Sequence, residues 1–405
     1  MKKITGAGAV LLIVAGCGQP ADEAAPVAEE SQSVAAATEA VDSGNLGIDK
    51  ANMDPSVRPA DDFERFVNGT WLDKFEIPPE RSRWGTFTEL AERNDRRLRE
   101  VMDESMMAVD ASAGSDLARS RDFFLSYMDE ERSDRLGLEP LAEDLARIEA
   151  ATSHEDLIRL FALNLRRMKK SRTSVTTDGA PLDYDIDLDP KDTEHYIVTF
   201  RQGGLGLPGR DYYLSDDEKF RESLAAYSVY IERMMALAGG ENSSADAETI
   251  IALEKRLAAA HWTAEQNRDR DARYNKFDRA GLAELTPGLD WNLLLAEAEL
   301  GDVEEVIVWQ PDFYVALDEA FRDTPLADWK TYLRFKIISS VARQLSQDFR
   351  LAHFEMYDKA LRGSEKPRER WQQAVDGANE VLAEIMSKVY LERYFPPEAH
   401  ERMQI

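Results

Sequence analysis

Apolar residues recur at every third or fourth position along most of this chain, and this period constrains its fold more than any other feature. The clearest stretch runs from Ser215 to Gly240. Ser215 and Glu218 have the spacing of a capping box at its start, and Gly239 and Gly240 provide a stop at its end. Such a period places apolar residues on one face of an α-helix, which predicts a mostly helical body. Faces with the same spacing are formed by Leu90, Leu98, Val101 and Met102 and by Leu157, Leu160, Phe161 and Leu165.

Three short segments have the alternating or continuous apolar pattern of β-strands instead. They comprise residues 184–188, 196–200 and 306–308. Hydrophobic residues make up 43% of the 405 residues, which is enough to bury a sizeable core. The sequence therefore predicts a mostly α-helical fold with minor β-structure.

The amino terminus has the pattern of an export signal. Lys2 and Lys3 precede an apolar run at residues 9–14, and this run is too short to span a bilayer as a helix. Residues 14–17 read VAGC and resemble a bacterial lipobox, in which the cysteine becomes acylated and amino-terminal. We therefore predict a lipoprotein signal peptide at residues 1–16 and a lipid anchor at Cys17. Cleavage by an ordinary signal peptidase is the alternative.

An acidic segment without basic or aromatic residues follows at residues 18–48. Such a composition cannot bury enough apolar area to offset its ordering entropy, which predicts a flexible tether over residues 17–48 and a folded region over 49–405.

The residue after the cysteine bears on localisation. An acidic residue at this position often retains lipoproteins at an inner membrane, but this chain has Gly18 there, so the bacterial outer membrane is favoured. The formal net charge of −27 disfavours nucleic acid as a partner. The acidic residues of the tether are Asp22, Glu23, Glu29, Glu30, Glu39 and Asp42.

The five histidines form no recognisable metal motif. A helical zinc site of a peptidase needs HExxH, because residues four apart share one helix face and two imidazoles can bind one ion. His154 and His400 are each followed by glutamate, but Ile158 and Gln404 occupy the positions of the second histidine. An acylated Cys17 leaves no thiolate for a metal. We expect no metal site and no catalytic residue in this chain.

A GxGxxG pattern at residues 204–209 superficially suggests a dinucleotide-binding loop. That loop needs a helix to begin inside it, so that backbone amides face the pyrophosphate. Pro208 removes one amide, and the next helix is predicted to begin near Asp216. We therefore interpret the pattern as a structural turn. By its own chemistry, we expect the chain to be a binding or framework portion.

Residues 54–90 carry a resemblance to a known family. They read DPSVRPADDFERFVNGTWLDKFEIPPERSRWGTFTEL and are similar to the opening of the neprilysin and endothelin-converting-enzyme family of zinc metalloendopeptidases. Further matches follow in the same order, so the resemblance covers roughly residues 50–405. These later motifs include Gly203 to Pro208, Asp211, Tyr212, Tyr213, Leu214, His261, Trp262, Gln310, Pro311, Asp312, Trp329, Gly363, Arg370, Trp371, Tyr394 and Phe395.

The resemblance implies a two-lobed peptidase of which this chain forms the helical lobe. In that family the HExxH motif and the other zinc ligand lie beyond the region matched here. The catalytic zinc lobe is therefore expected to be absent, and this chain is expected to be inactive alone. The intact enzyme would use zinc to cleave small peptides on the amino side of hydrophobic residues, and Arg83 matches the family arginine that binds the peptide's carboxyl-terminal end. A lipid-anchored binding or scaffold protein without catalysis is the alternative.

Overall fold

The computed structural model of the protein describes residues 49–107, 110–168 and 180–403. The predicted signal peptide, the lipid-anchored Cys17 and the tether at residues 17–48 lie outside these described residues. The described residues fall into two compact units, one before Ile77 and one from Ile77 onward. Within the described ranges, no helix combines the length and the apolar composition that crossing a bilayer requires.

The first unit contains one described α-helix, α1 (Phe63–Lys74). Asp62 caps this helix, because its side chain accepts a hydrogen bond from the amide of Arg65 at 2.9 Å. The segment before the helix folds back onto it, since the amide of Asp54 donates to the carbonyl of Phe66 at 2.9 Å. The part of the motif at residues 54–74 therefore forms α1 together with its cap and the segment that packs against it.

The second unit is mostly helical, as the apolar period predicts. The predicted face of residues 157–165 is buried throughout, and so is most of the face at residues 90–102. Its helices are α2 (Thr86–Met107), α3 (Asp116–Met128), α4 (Glu130–Leu136), α5 (Ala142–Ala150), α6 (His154–Met168), α7 (Asp211–Leu214), α8 (Glu218–Leu237), α9 (Ser243–Ala260), α10 (Arg279–Leu285), α11 (Trp291–Glu297), α12 (Pro311–Asp323), α13 (Leu326–Ser340), α14 (Gln347–His353), α15 (Arg370–Val381), α16 (Ala383–Tyr394) and α17 (Pro397–Met403). A π-helical turn, Phe354–Ala360, continues α14.

One four-stranded sheet accompanies these helices, and the predicted mostly α-helical fold with minor β-structure is confirmed. Its strands are β1 (Leu182–Asp189), β2 (Asp192–Gln202), β3 (Lys276–Asp278) and β4 (Glu305–Val308). Their order in the sheet is β1-β2-β4-β3, and β2 and β4 are parallel whereas the other neighbours are antiparallel. The three predicted strand segments fall within β1, β2 and β4. The sequence analysis missed β3, because three residues with one apolar side chain have no readable period.

The start of α8 differs from the prediction. Asp217 is the cap, and its side chain accepts the amide of Lys219 at 2.9 Å, so the predicted capping box of Ser215 and Glu218 is wrong. Ser215 instead accepts the amide of Asp217 at 3.1 Å. The prediction that the next helix begins near residue 216 also missed α7, whose single turn directly precedes this cap.

Two hydrophobic clusters form the interior of the second unit. The larger one is built around fully buried aromatic residues such as Tyr227, Phe321 and Trp329 and surrounds the sheet. The smaller one packs α2 and α3 against α15 and α16. The smaller cluster packs the second half of α2 against α15, and its buried members are Leu98, Val101, Met102, Phe124, Ala374, Val375, Ala378 and Met386.

Candidate functional site

A cavity of about 820 Å³ lies in the second unit beside the start of α2 and one side of α15. Its volume falls within the roughly 300–1,000 Å³ that is typical of ligand pockets. The segments that line it come from residues 80–91, 343–358 and 362–380, with single residues from α3 and α4. Arg83, the substrate-binding residue that the resemblance implies, is one of the lining residues.

The turn that carries Arg83 is attached to α2. The amide of Arg81 donates to the carbonyl of Pro78 at 2.9 Å, which closes the turn. The guanidinium of Arg81 is ion-paired with Glu92, one helical turn and a half into α2. Gln372 on α15 donates to the other carboxylate oxygen of Glu92 at 3.4 Å. These contacts connect the turn to both helices that border the cavity.

A second loop lies against the same turn. The carbonyl of Pro79 accepts the amides of Glu365 and Lys366, at 2.7 and 3.0 Å. Gly363, with a φ of 84°, reverses the chain after the π-helical turn, and a Cβ at this position would lie 3.9 Å from the Cβ of Ser82. Only glycine adopts this left-handed conformation without strain. The loop at residues 363–366 is thereby held beside Arg83.

Arg83 and Phe87 are both presented to the cavity. Arg83 is exposed and forms no ion pair among the described residues. The side chain of Phe87 is 89% exposed, which is unusual for a large aromatic residue in a helix. Phe87 lies within the motif of residues 54–90, but no local pattern in the sequence indicates that its ring is open to the cavity.

The opposite part of the wall is made of paired charges. Arg350 is ion-paired with Glu130 at 2.5 Å. Arg368 lies between Asp95 and Asp376 and is ion-paired with both. Burial opposes the charge of Arg368, but Asp376 and Asp95 outweigh burial and raise its pKa. These cations are neutralised by the protein and support the wall.

Arg370 has a different role at the base of the cavity. Its Nε and Nη2 donate to the carbonyl of Tyr127 at 3.0 and 2.6 Å, and its guanidinium lies 4.2 Å from the centre of the Tyr127 ring. Burial lowers the pKa of Arg370, and this effect outweighs the opposing influence of Tyr127. The residue therefore connects α15 to the end of α3.

Backbone amides of the glycine-rich segment at residues 204–209 are already hydrogen-bonded to a side chain of the protein. The amides of Gly206 and Leu207 donate to Tyr213 Oη at 3.1 and 2.9 Å. Tyr213 in turn donates to the fully buried carboxylate of Glu254 at 2.7 Å, and Tyr227 donates to the same carboxylate at 3.1 Å. The amides that a phosphate would need are thus engaged, which agrees with a structural turn.

The buried histidines are packing residues. His261 contacts the carbonyl of Gly203 at 2.9 Å, and burial lowers its pKa to about 4. His353 packs against the rings of Tyr230 and Tyr357, and burial lowers its pKa to about 3. In the part of the chain that the structure describes, no group of three His, Cys, Asp or Glu side chains could hold a metal ion. These residues do not fit a zinc ion, and no chemical step through zinc follows from them.

Comparisons with known proteins agree with the sequence resemblance. The model of peptidase family M13 matches residues 59–405. Rat endothelin-converting enzyme-like 1 is 28% identical over 364 residues, which cover 87% of this chain and 46% of that protein. Human endothelin-converting enzyme 1 is 24% identical over 361 residues, which cover 85% of this chain and 45% of that protein. The chain thus spans about half the length of the curated relatives it matches.

Solved structures share the fold. The crystal structure of the Mycobacterium tuberculosis zinc metalloprotease Zmp1 in complex with an inhibitor superposes with a TM-score of 0.80 at 32% identity, covering 88% of this chain and 53% of that one. PepO from Lactobacillus rhamnosis superposes with a TM-score of 0.67 at 21% identity, covering 86% of this chain and 54% of that one, which shows a common fold. The family model matches residues 59–405, and the structure has the expected helical body with a small sheet. This chain therefore belongs to peptidase family M13 and corresponds to its amino-terminal region.

Proposed function

We propose that this chain is the amino-terminal part of a zinc metalloendopeptidase and that its cavity binds the carboxyl-terminal end of small peptides. One observation carries the proposal: Arg83 enters the cavity as an exposed guanidinium without an ion pair among the described residues. A guanidinium offers two parallel donors that match a carboxylate. The exposed ring of Phe87 adds apolar surface for a neighbouring hydrophobic side chain.

The catalytic zinc would be supplied by protein outside these 405 residues. Support comes from the sequence, which contains no HExxH, and from relatives that are about twice as long. We therefore propose that the 405-residue chain does not hydrolyse peptides by itself. Cleavage on the amino side of hydrophobic residues by the intact enzyme is part of the same proposal and rests on the family resemblance.

Export and lipid anchoring at Cys17 complete the proposed function. They are supported by the signal-like residues 1–16 and by the lipobox pattern before Cys17. The protein would be located at the bacterial envelope, with the outer membrane favoured. Labelling with a fatty acid should mark the wild-type chain and not Cys17→Ser. A wild-type protein that carries no lipid after export would refute the anchor.

The first experiment compares the 405-residue chain with a version extended along its native reading frame. Zinc content and cleavage of a short fluorogenic peptide are measured for both. We expect zinc and activity only in the extended protein. Stoichiometric zinc and hydrolysis by the 405-residue chain would overturn the proposal that the catalytic part lies elsewhere.

The second experiment tests Arg83 in the extended enzyme. Arg83→Gln should lower kcat/KM about tenfold for a peptide with a free terminal carboxylate, because a charge-assisted hydrogen bond contributes roughly 1.5 kcal/mol. The same peptide with an amidated terminus should be cleaved equally by both enzymes. Arg96→Gln is the matched control, since Arg96 is exposed on α2 and does not line the cavity. An equal loss for both peptides would contradict carboxylate binding by Arg83.

A further inference from the structure

Lys366 is a second exposed cation of the cavity that no sequence motif identified. Its side chain lines the cavity and has no ion-pair partner among the described residues. Its backbone amide donates to the carbonyl of Pro79 at 3.0 Å, so the loop is anchored to the turn of Arg83. One lysine and one arginine side chain, Lys366 and Arg83, thus line the same cavity from neighbouring loops, although they are far apart in the sequence.

Most other cations in the cavity wall already have anionic or backbone partners. Arg343 and Arg362 share Asp358, at 3.4 and 2.9 Å. Arg370 is hydrogen-bonded to a backbone carbonyl, and Arg81, Arg350 and Arg368 are each ion-paired with a carboxylate. Among the described Lys and Arg side chains of this wall, Arg83 and Lys366 are therefore the ones with neither a carboxylate nor a backbone carbonyl as partner.

The charge of this region contrasts with that of the whole protein. The chain has a formal net charge of −27, which disfavours anions at most of its surface. Glu80 lies on the same turn as Arg83 and offsets one of the two positive charges. The cavity wall contains eight Lys and Arg side chains and six carboxylates, and Glu92 and Asp95 outside it balance Arg81 and Arg368, so the wall has no excess of either charge. An anionic group is therefore favoured beside the two exposed cations over the acidic surface elsewhere.

We propose that Lys366 acts with Arg83 to select peptides that end in an acidic residue. Arg83 binds the terminal carboxylate, and Lys366 binds the carboxylate of the last side chain. A planar guanidinium suits the fixed geometry of the terminus, whereas an ammonium on a flexible stem suits a side-chain carboxylate at variable distance. The inference rests on the proposed function, because a peptide must enter the cavity in that orientation. It assigns a specificity-determining role to Lys366.

Direct binding tests this inference without hydrolysis. Fluorescence anisotropy is measured for the 405-residue chain with four labelled peptides of one sequence. Two of them end in Glu and two in Gln, and each occurs with a free or an amidated terminus. The wild-type chain should bind the free Glu peptide about three- to fivefold more tightly than the free Gln peptide, as expected for a solvent-exposed ion pair.

Variants then assign this preference to one side chain. Lys366→Gln should abolish the preference for Glu over Gln and retain the effect of amidation, whereas Arg83→Gln should abolish the effect of amidation. Lys359→Gln is the matched control, because Lys359 is exposed on the preceding π-helical turn and does not line the cavity. Lys366 is exposed, so its replacement should leave the thermal unfolding transition unchanged.

Three outcomes would overturn the role of Lys366. They are an equal affinity of the wild-type chain for Glu and Gln peptides, an unchanged preference in Lys366→Gln, and no binding of any of the four peptides. Hydrolysis by the extended enzyme decides the proposed function separately. An extended enzyme that cleaves peptides without preferring an acidic terminus would refute this inference and leave the proposed function in place.

Discussion

Gly206 lies so close to Tyr227 that a side chain at this position would collide with the ring. A Cβ on Gly206 would be 1.7 Å from Tyr227 Oη and 2.4 Å from its Cζ. Tyr227 is fully buried and donates to the buried carboxylate of Glu254, so the ring cannot move without losing that hydrogen bond. Gly206→Ala should therefore cost about 1–3 kcal/mol from overpacking and about 1–3 kcal/mol from the weakened hydrogen bond.

Urea unfolding followed by tryptophan fluorescence measures this cost. Gly209→Ala is the matched control in the same segment, because a Cβ on Gly209 would meet nothing within 4 Å. Its free energy of unfolding should stay within about 1 kcal/mol of the wild-type value or rise, since alanine reduces the entropy of the unfolded chain. A Gly206→Ala protein that unfolds at the same urea concentration as Gly209→Ala would refute the argument.

Two further predictions concern buried ionisable groups. Lys336 lies 3.5 Å from Glu254 and both are buried, so Lys336→Met should cost about 3–5 kcal/mol. Adding Glu254→Gln should recover part of this cost, because it removes the unpaired charge but loses one of the two tyrosine hydrogen bonds. A double variant as unstable as Lys336→Met, in urea unfolding, would contradict this. Burial lowers the pKa of His353 to about 3 from its usual 6.5, so the unfolded chain protonates first and stability is lost as the pH falls below 6.5. The loss should be about 1.5 kcal/mol between pH 6.5 and about pH 5. His353→Phe, which keeps the ring contacts with Tyr230 and Tyr357, should remove that part of the pH dependence of unfolding, and an unchanged dependence would count against it.

Local patterns were enough to predict most of the secondary structure. The period of Leu157, Phe161 and Leu165 predicted a buried helix face, and all three are buried in α6. The choice of cap for α8 could not be predicted in the same way. Ser215 and Asp217 are both good capping residues, and the direction of the chain leaving α7 decides which one reaches a free amide.

The sequence by itself determined the family resemblance, the helical body and the candidate role of Arg83, because these depend on residue types at fixed local spacings. Only the tertiary structure decided that Arg83, Phe87 and Lys366 share one cavity and that Arg368 is neutralised while Lys366 is not. Such relations join residues on loops and helices that are distant along the chain. They depend on how α2 packs against α15, and burial and ion pairing at that contact have no local pattern in the sequence.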